Sequence, residues 1–155
     1  MILKRFPQYY GDRMMPWGEG TVVWGAGGFA FLGGVGGGGP EAYKWGEDYV
    51  LDEPIGQQAK ESLEKIKTKL ESYGTSLENI VHIWYYIVGE FPDGFVAHPR
   101  FQEAFQAIDE FWKENAPSLA HDKNPLPSTV IGCTGLGRNK QLIEILAFAV
   151  LPPLT

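Results

Sequence analysis

Glu144 is the side chain of this sequence that is best suited to move a proton. It is the one charged residue in the apolar run 142–150, LIEILAFAV. A carboxylate that is held among apolar side chains can act as a general acid or base. The alternative interpretation is a polar residue of an edge strand that has no chemical role.

Ser128 and Thr129 begin another apolar segment, STVIGC, and each brings a hydroxyl group. A hydroxyl can donate to, or accept from, a neutral atom of a substrate. The same groups could instead satisfy backbone atoms at the start of a strand. We take Ser128 as a candidate catalytic residue and Thr129 as a candidate substrate-binding residue.

Residues 1–20 contain two prolines and several aromatic side chains, and we expect them to form an irregular arm. Arg13, Trp17 and Glu19 would bring a cation, an aromatic ring and a carboxylate close together in this arm. The arm is long enough to reach a cleft of a neighbouring chain, where these three residues would bind substrate. An arm without any binding role is an equal alternative.

Several other kinds of site are disfavoured by the residues present. The single cysteine, Cys133, excludes an internal disulfide and a zinc site built from cysteines. The three histidines lack the spacing that is typical of metal ligands. The glycine-rich run 33–39 lacks the lysine that ends a phosphate-binding loop. The sequence therefore predicts neither a metal site nor a nucleotide-phosphate site.

The composition bears on partners and compartment. There are 13 Lys and Arg against 19 Asp and Glu, and the net charge of -6 disfavours binding to the phosphate backbone of nucleic acids. No apolar run approaches the roughly 18 residues that a membrane span needs, and the first residues lack the apolar stretch of a signal peptide. We expect a cytoplasmic protein with no nucleic-acid or membrane partner.

Hydrophobic periodicity predicts the elements that position these side chains. Apolar residues recur with a helical period over 56–73 and over 99–115. Five strands are predicted from β-branched and aromatic runs, at 21–24, 29–32, 80–88, 128–133 and 142–150. The segment 43–51 is compatible with a loop or a short strand. The order ββαβαββ is that of a single α+β domain over residues 1–155, with two helices on one face of a sheet.

Both faces of the last predicted strand are apolar. One face carries Leu142, Leu146, Phe148 and Val150, and the other carries Ile143, Ile145, Ala147 and Ala149. Since two helices on one side cover only one face of the sheet, the other face would be exposed in a lone chain. This pattern predicts a homo-oligomer.

Three stretches resemble the Rid family, the reactive intermediate deaminases, which are also called YjgF-like proteins. Residues 26–34, AGGFAFLGG, are similar to the family's early strand AGxxxFVSG. Residues 73–81, YGTSLENIV, resemble its GxSLxDVV turn and the strand that follows. Residues 127–132 and 143–150, PSTVIG and IEILAFAV, resemble PARTAVxV and VEIEAIAV.

The resemblance implies a homotrimer with a chorismate-mutase-like mixed sheet, two helices on one face, and ligand sites in the clefts between subunits. It implies hydrolysis of imines or enamines that are made from amino acids, which gives a keto acid and ammonia and needs no metal or organic cofactor. Glu144 corresponds to the family glutamate that helps to place the attacking water.

Three side chains of the family pattern are missing, one of them the tyrosine before the early strand, for which Trp17 or Tyr10 could substitute. Counting back from Leu136 of the family pattern, the arginine that clamps the substrate carboxylate corresponds to Ser128, which carries no charge. The serine of the early strand corresponds to Gly33, so this substrate-binding position offers no polar side chain. Arg13 or Arg100 could supply the cation from elsewhere in the chain.

These departures leave three hypotheses. The first is an enzyme with a modified subunit-interface site that performs hydrolytic, deaminating or tautomerising chemistry on an imine, an enamine or a related unsaturated or aromatic-derived small molecule. The second is a trimeric ligand-binding or scaffold protein without catalysis. The third is an ordinary deaminase in which Arg13 or Arg100 clamps the carboxylate.

Overall fold

In the computed structural model, the described residues 1–39 and 50–154 form seven strands and two α-helices. The strands are β1 (Ile2–Tyr10), β2 (Arg13–Trp24), β3 (Gly28–Phe31), β4 (Val35–Gly36), β5 (Ile80–Val88), β6 (Ser128–Cys133) and β7 (Ile143–Leu151). The helices are α1 (Ile55–Ser72) and α2 (Pro99–Asn115). Both predicted helices and all five predicted strands are confirmed, and residues 43–49 of the ambiguous segment lie outside the described residues.

The prediction of an irregular arm over residues 1–20 is wrong, because these residues form most of a β-hairpin. β1 and β2 pair antiparallel and turn at Gly11, whose φ of 60° is readily adopted by glycine. The pairing register shifts on both sides of Pro7. A proline is tolerated at such a bulge because it lacks the N–H that a regular ladder requires. Pro7 and Pro16, which in the sequence alone suggest an irregular segment, thus lie within β1 and β2.

Hydrogen bonds from Arg5, Gly18 and Thr21 fix the hairpin to the rest of the chain. The buried guanidinium of Arg5 donates to the carbonyl oxygen of Ile80 at 2.9 Å. The N–H of Gly18 donates to the carbonyl oxygen of Leu126 at 3.0 Å. The second contact places the middle of β2 beside the start of β6.

The main sheet has the strand order β3-β7-β5-β6, and β4 also pairs with β7. β7 runs antiparallel to β3, β4 and β5, whereas β5 and β6 are parallel. One edge of this mixed sheet is therefore formed by β3 and β4, and the opposite edge by β6.

Both helices cover one face of this sheet. The side chains of Ile83 and Ile87 on β5 and of Ile143 and Ile145 on β7 are fully buried and belong to the core that the helices complete. Burying an isoleucine side chain contributes about 1.5–3 kcal/mol to stability. The α+β arrangement predicted from the sequence is confirmed. No helix in the described part of the chain is both long enough and apolar enough to cross a membrane.

The other face of the sheet, which we call the open face, is only partly covered. Leu146 and Phe148 lie half-buried on it, as predicted, while Phe31 of β3 is 67% exposed. Leu142 and Val150 were also predicted on this exposed face. Leu142 instead precedes β7 and packs against the core, and Val150 is fully buried. The open face leaves a continuous aromatic surface, in which the Trp84 and Phe148 ring centroids are 4.5 Å apart.

Candidate functional site

A groove of about 210 Å³ lies where the hairpin, β6 and α2 meet. It is lined by Trp17, Phe95, Val96, Phe101, Phe105, Ser128 and Val130. We call it the Trp17–Ser128 groove. It brings together two of the side chains that the sequence singles out.

Strand alternation explains why Ser128 faces the helices. In the parallel pair β5–β6, Ser128 lies opposite Ile83, whose side chain is buried beneath the helices. Side chains of directly paired residues point to the same face of a sheet. Within the part of the chain that the structure describes, no group hydrogen-bonds the half-buried Ser128 hydroxyl. That hydroxyl is therefore available to a ligand in the groove.

A glycine brings Trp17 to the groove. A Cβ at Gly18 would lie 2.6 Å from the carbonyl oxygen of Pro125, so only glycine allows β2 to approach this closely. Trp17 precedes Gly18, and it lines the groove together with Ser128 at the start of β6.

Glu144 lies on the open face, near the opposite edge of the sheet. Its Oε2 accepts a hydrogen bond of 3.2 Å from Nε2 of Gln141. Its side chain lies over Gly34, where a Cβ would overlap with the carboxylate. The carboxylate thus has a defined position, set by one amide and by the absence of a side chain at Gly34.

Gln141, which is only 4% exposed, was not among the site residues predicted from the sequence. Its Oε1 accepts a 3.2 Å hydrogen bond from the Arg138 N–H, which holds the amide in place. The turn before β7 is in turn fixed to α1 by Gln58, whose Oε1 accepts a 2.9 Å hydrogen bond from the Leu142 N–H. The signal in the sequence was that Gln141 stands three residues before Glu144, whereas only the fold shows that Gln58 meets the same turn.

Thr129 points to the open face, away from Ser128. Its Oγ1 lies 3.2 Å from Nε2 of His82, whose ring centroid is 4.0 Å from that of Trp84. Burial lowers the pKa of His82 below its ordinary value. The Thr129 hydroxyl is therefore engaged with His82 and does not extend the Trp17–Ser128 groove.

Glu144 is not brought close to Thr129 or Ser128 within one chain. Tyr86 of β5 pairs with Glu144 on one side and with Ile131 of β6 on the other. Thr129 stands two residues before Ile131 on β6. Strand spacing then separates the Cα atoms of Glu144 and Thr129 by about 12 Å. Ser128 is on the opposite face from Glu144 altogether.

The remaining candidates also lie apart from the groove. Arg13 and Glu19 are exposed on β2, and neither is among its lining residues. Gly33 lines a separate recess of about 170 Å³ with Lys69 of α1 and Tyr73, which follows that helix.

Neither cation proposed to replace the family arginine reaches the groove. The Arg100 guanidinium donates to the carbonyl oxygen of Val88 at 2.5 Å and so caps the end of β5. Arg13 sits at the hairpin turn, paired with Tyr10. Among residues 1–39 and 50–154, no cluster of three or more His, Cys, Asp or Glu side chains could hold a metal ion.

Comparison with known proteins bears on the fold. No protein-family model and no curated protein sequence matches the chain. A solved structure of YyfB from Yersinia pestis, a protein of the conserved Rid family, superposes with a TM-score of 0.65 at 20% identity and covers 88% of this chain and 87% of that chain. The chain has the Rid fold.

Two further structures agree with this assignment. TdcF from E. coli, with serine bound, has a TM-score of 0.57 at 22% identity and covers 94% of this chain and 93% of that chain. Yeast Mmf1 has a TM-score of 0.57 at 14% identity, with 97% and 99% of the two chains covered. The Rid fold expected from the three sequence stretches is confirmed.

The Rid fold of this chain places its two best candidate groups near opposite edges of one sheet. Ser128 is on β6, which forms one edge. Glu144 lies opposite Gly36 of β4, which forms part of the other edge. A single chain therefore presents half of a candidate site at each edge.

Proposed function

We propose that the protein is an enzyme that hydrolyses or tautomerises an imine, an enamine or a related unsaturated small molecule at a modified Rid-type site between the subunits of a homotrimer. The observation that carries the proposal is the fixed position of Glu144, held by the buried amide of Gln141 above Gly34. A catalytic carboxylate has to be positioned before the substrate arrives.

A neighbouring subunit is needed because Glu144 and Ser128 face opposite sides of the sheet, and the resemblance to the Rid family makes a homotrimer the expected assembly. In a cyclic oligomer, each interface joins two different surfaces of neighbouring copies. An interface between the β3–β4 edge of one copy and the β6 edge of the next would bring Glu144 and the Trp17–Ser128 groove to one cleft. The serine bound to TdcF supports a small-molecule site on this fold.

The chemistry follows from a carboxylate beside a substrate that Ser128 orients. In imine hydrolysis, Glu144 takes a proton from the attacking water while the water oxygen bonds to the imine carbon, and a proton passes to nitrogen. The resulting carbinolamine transfers its hydroxyl proton to nitrogen, the C–N bond breaks, and a carbonyl compound and ammonia remain. In tautomerisation, the same carboxylate moves one proton between carbon and nitrogen.

A trapping assay tests the proposal. An amino-acid oxidase generates fresh imines from a panel of amino acids, and semicarbazide traps the imine that escapes hydrolysis. We expect the protein to speed keto-acid formation and to reduce semicarbazone, at least for part of the panel. Glu144→Gln should lower this activity by about 10²-fold or more, since it removes the acid–base group.

Glu64→Gln is the matched control, because Glu64 is exposed on α1 far from the open face. Its activity should equal that of the unmodified protein. Full activity of Glu144→Gln, with an unchanged oligomer by sedimentation, would remove Glu144 from the mechanism. No acceleration with any imine of the panel or with neutral enamines would contradict the enzyme proposal.

The placement of Ser128 and Glu144 on opposite faces favours one alternative function, a non-catalytic trimeric ligand-binding or scaffold protein. Such a protein would need only the groove, which is complete within one chain. Saturable binding of a small molecule without turnover, unaffected by Glu144→Gln, would support this alternative.

A further inference from the structure

The size of the Trp17–Ser128 groove limits what it can hold. Its volume is about 210 Å³. A cavity of about 150 Å³ that is lined by apolar side chains binds benzene. The groove therefore has room for one six-membered ring with a small substituent.

The walls of the groove are aromatic and closely packed. The rings of Phe101 and Phe105 are stacked with centroids 4.2 Å apart, and Phe91 and Phe95 are in contact at 4.7 Å. A Cβ at Gly132 would lie 2.8 Å from Cδ2 of Phe91 and 3.0 Å from Cε1 of Phe95, so the glycine makes room for these two rings. Aromatic walls at such spacings favour another ring by offset or edge contacts, beyond the burial of its surface.

The charge of the groove limits the ligand further. The described residues that line it include no charged side chain. The nearby cation Arg100 is bonded to the Val88 carbonyl. A carboxylate placed in the groove would lose its hydration without gaining an opposite charge, which is costly. A neutral acceptor could instead take a hydrogen bond from the Ser128 hydroxyl.

We propose that the groove binds a neutral aromatic molecule, with its ring among the phenylalanines and Trp17, and a carbonyl or imine atom of its substituent accepting from Ser128. This inference rests on the proposed function for the location of the site, and it names the substrate class. The expected substrate is an aromatic imine or enamine without a carboxylate at the clamp position.

Three small probes test this without any turnover. Benzamide has a ring and a neutral carbonyl, benzoate has a ring and a charge, and acetamide has the carbonyl alone. In NMR titrations we expect benzamide to bind at least about 10-fold more tightly than acetamide, because of its ring. It should also bind at least about 10-fold more tightly than benzoate, because the groove offers no cation.

Substitutions in the groove test whether benzamide binds there. Ser128→Ala should weaken benzamide by about fivefold, through loss of one hydrogen bond. Ser128→Arg should reverse the preference and favour benzoate, because arginine pairs with carboxylates. Gly132→Ala, which displaces Phe91 and Phe95, should weaken benzamide, whereas its matched control Gly135→Ala should not, since nothing lies within 4 Å of a Cβ there. Circular dichroism verifies that each variant is folded.

Benzoate binding as tightly as benzamide would overturn the inference, and so would benzamide binding that Ser128→Ala and Gly132→Ala both leave unchanged. These outcomes are separable from the proposed function. Benzamide selectivity without imine turnover would keep the groove assignment and contradict the enzyme. Turnover of aliphatic, carboxylate-bearing imines without benzamide binding would keep the enzyme proposal and contradict the groove assignment.

Discussion

The two faces of the main sheet carry aromatic side chains in contrasting ways. On the helix side, Phe101 and Phe105 are less than one-tenth exposed and line a groove that leaves the Ser128 hydroxyl accessible. On the open face, Phe29 and Phe31 are about two-thirds exposed, at 66% and 67%. The helix side is thus finished within one chain, whereas the open face has aromatic surface that the chain does not cover.

The same contrast applies to the polar groups of the two faces. Ser128 has no partner among the described residues, which suits a ligand site. Glu144 and Thr129 on the open face are each engaged by a neighbouring side chain, Gln141 and His82 respectively. We infer that the helix side binds a small molecule. We infer that the open face, where Glu144 and Thr129 are held by neighbouring side chains, packs against another subunit.

The largest expected effect tests whether the position of Glu144 matters. Gly34→Ala places a Cβ where the carboxylate now lies, so the carboxylate must move. A misplacement of about 1 Å can cost on the order of 10²-fold in rate, and we expect a loss of that size in the imine assay. Unfolding midpoints should change little, because the atoms that a Cβ at Gly34 would meet all belong to the half-buried Glu144 side chain, which can rotate away as a whole.

Gly135→Ala is the matched control, because nothing lies within 4 Å of a Cβ at that residue and it is not part of the candidate site. Neither glycine has a positive φ that alanine would strain. Equal activity of the two variants would show that the open face does not supply the reactive carboxylate.

The next largest expected effect is a loss of stability when either of two neighbouring residues of β7 is truncated. Ile145 is fully buried on the helix side, and Leu146 is half-buried on the open face. Ile145→Ala should lower the free energy of unfolding by about 2–5 kcal/mol, because it leaves a cavity in the core. The loss, measured by urea denaturation, should be the same at every protein concentration.

Leu146→Ala should differ from Ile145→Ala because its effect on stability should depend on association between copies. We expect it to weaken the oligomer in sedimentation experiments and to destabilise the protein most at low concentration. A concentration-independent effect of Leu146→Ala would contradict the idea that a second copy covers the open face.

Much of the fold could be predicted from local signals. The helical period of α1 ends at Gly74, whose φ of 77° is the left-handed conformation that glycine favours after a helix. The run 80–88 predicted β5 with the bounds that the structure shows. Such elements are predictable because their own residues specify both the period and the ends.

The hairpin and the candidate site required information that is not local. The bulge at Pro7 depends on pairing with β2, so the proline alone suggested a break. Ser128 and Thr129 are adjacent in sequence, yet strand alternation sends one to the groove and the other to His82. Gln141 became relevant only once the turn before β7 was fixed to α1. Side-chain partners across strands are set by register, which the sequence specifies only through the whole fold.

The smallest expected effect is a pH dependence that separates the two faces. Burial lowers the pKa of His82 on the open face below its ordinary value of 6.5. Burial also lowers the pKa of His121, which lies near Phe105 on the helix side. Between the ordinary value and the lowered one, the unfolded chain binds more protons than the folded chain. Stability should therefore fall as the pH drops below about 6.5, and the loss should level off below the folded-state pKa values.

His82→Gln isolates the open-face part of this loss, because glutamine cannot titrate and can still hydrogen-bond Thr129. Melting temperatures measured from pH 7.5 to about pH 5 should fall less steeply for His82→Gln than for the unmodified protein. His121→Gln should give a similar reduction on the helix side. If a second copy covers the open face, the His82 contribution will grow with protein concentration while that of His121 stays constant. Equal slopes for His82→Gln and the unmodified protein would contradict the assignment of a proton-sensitive group to the open face.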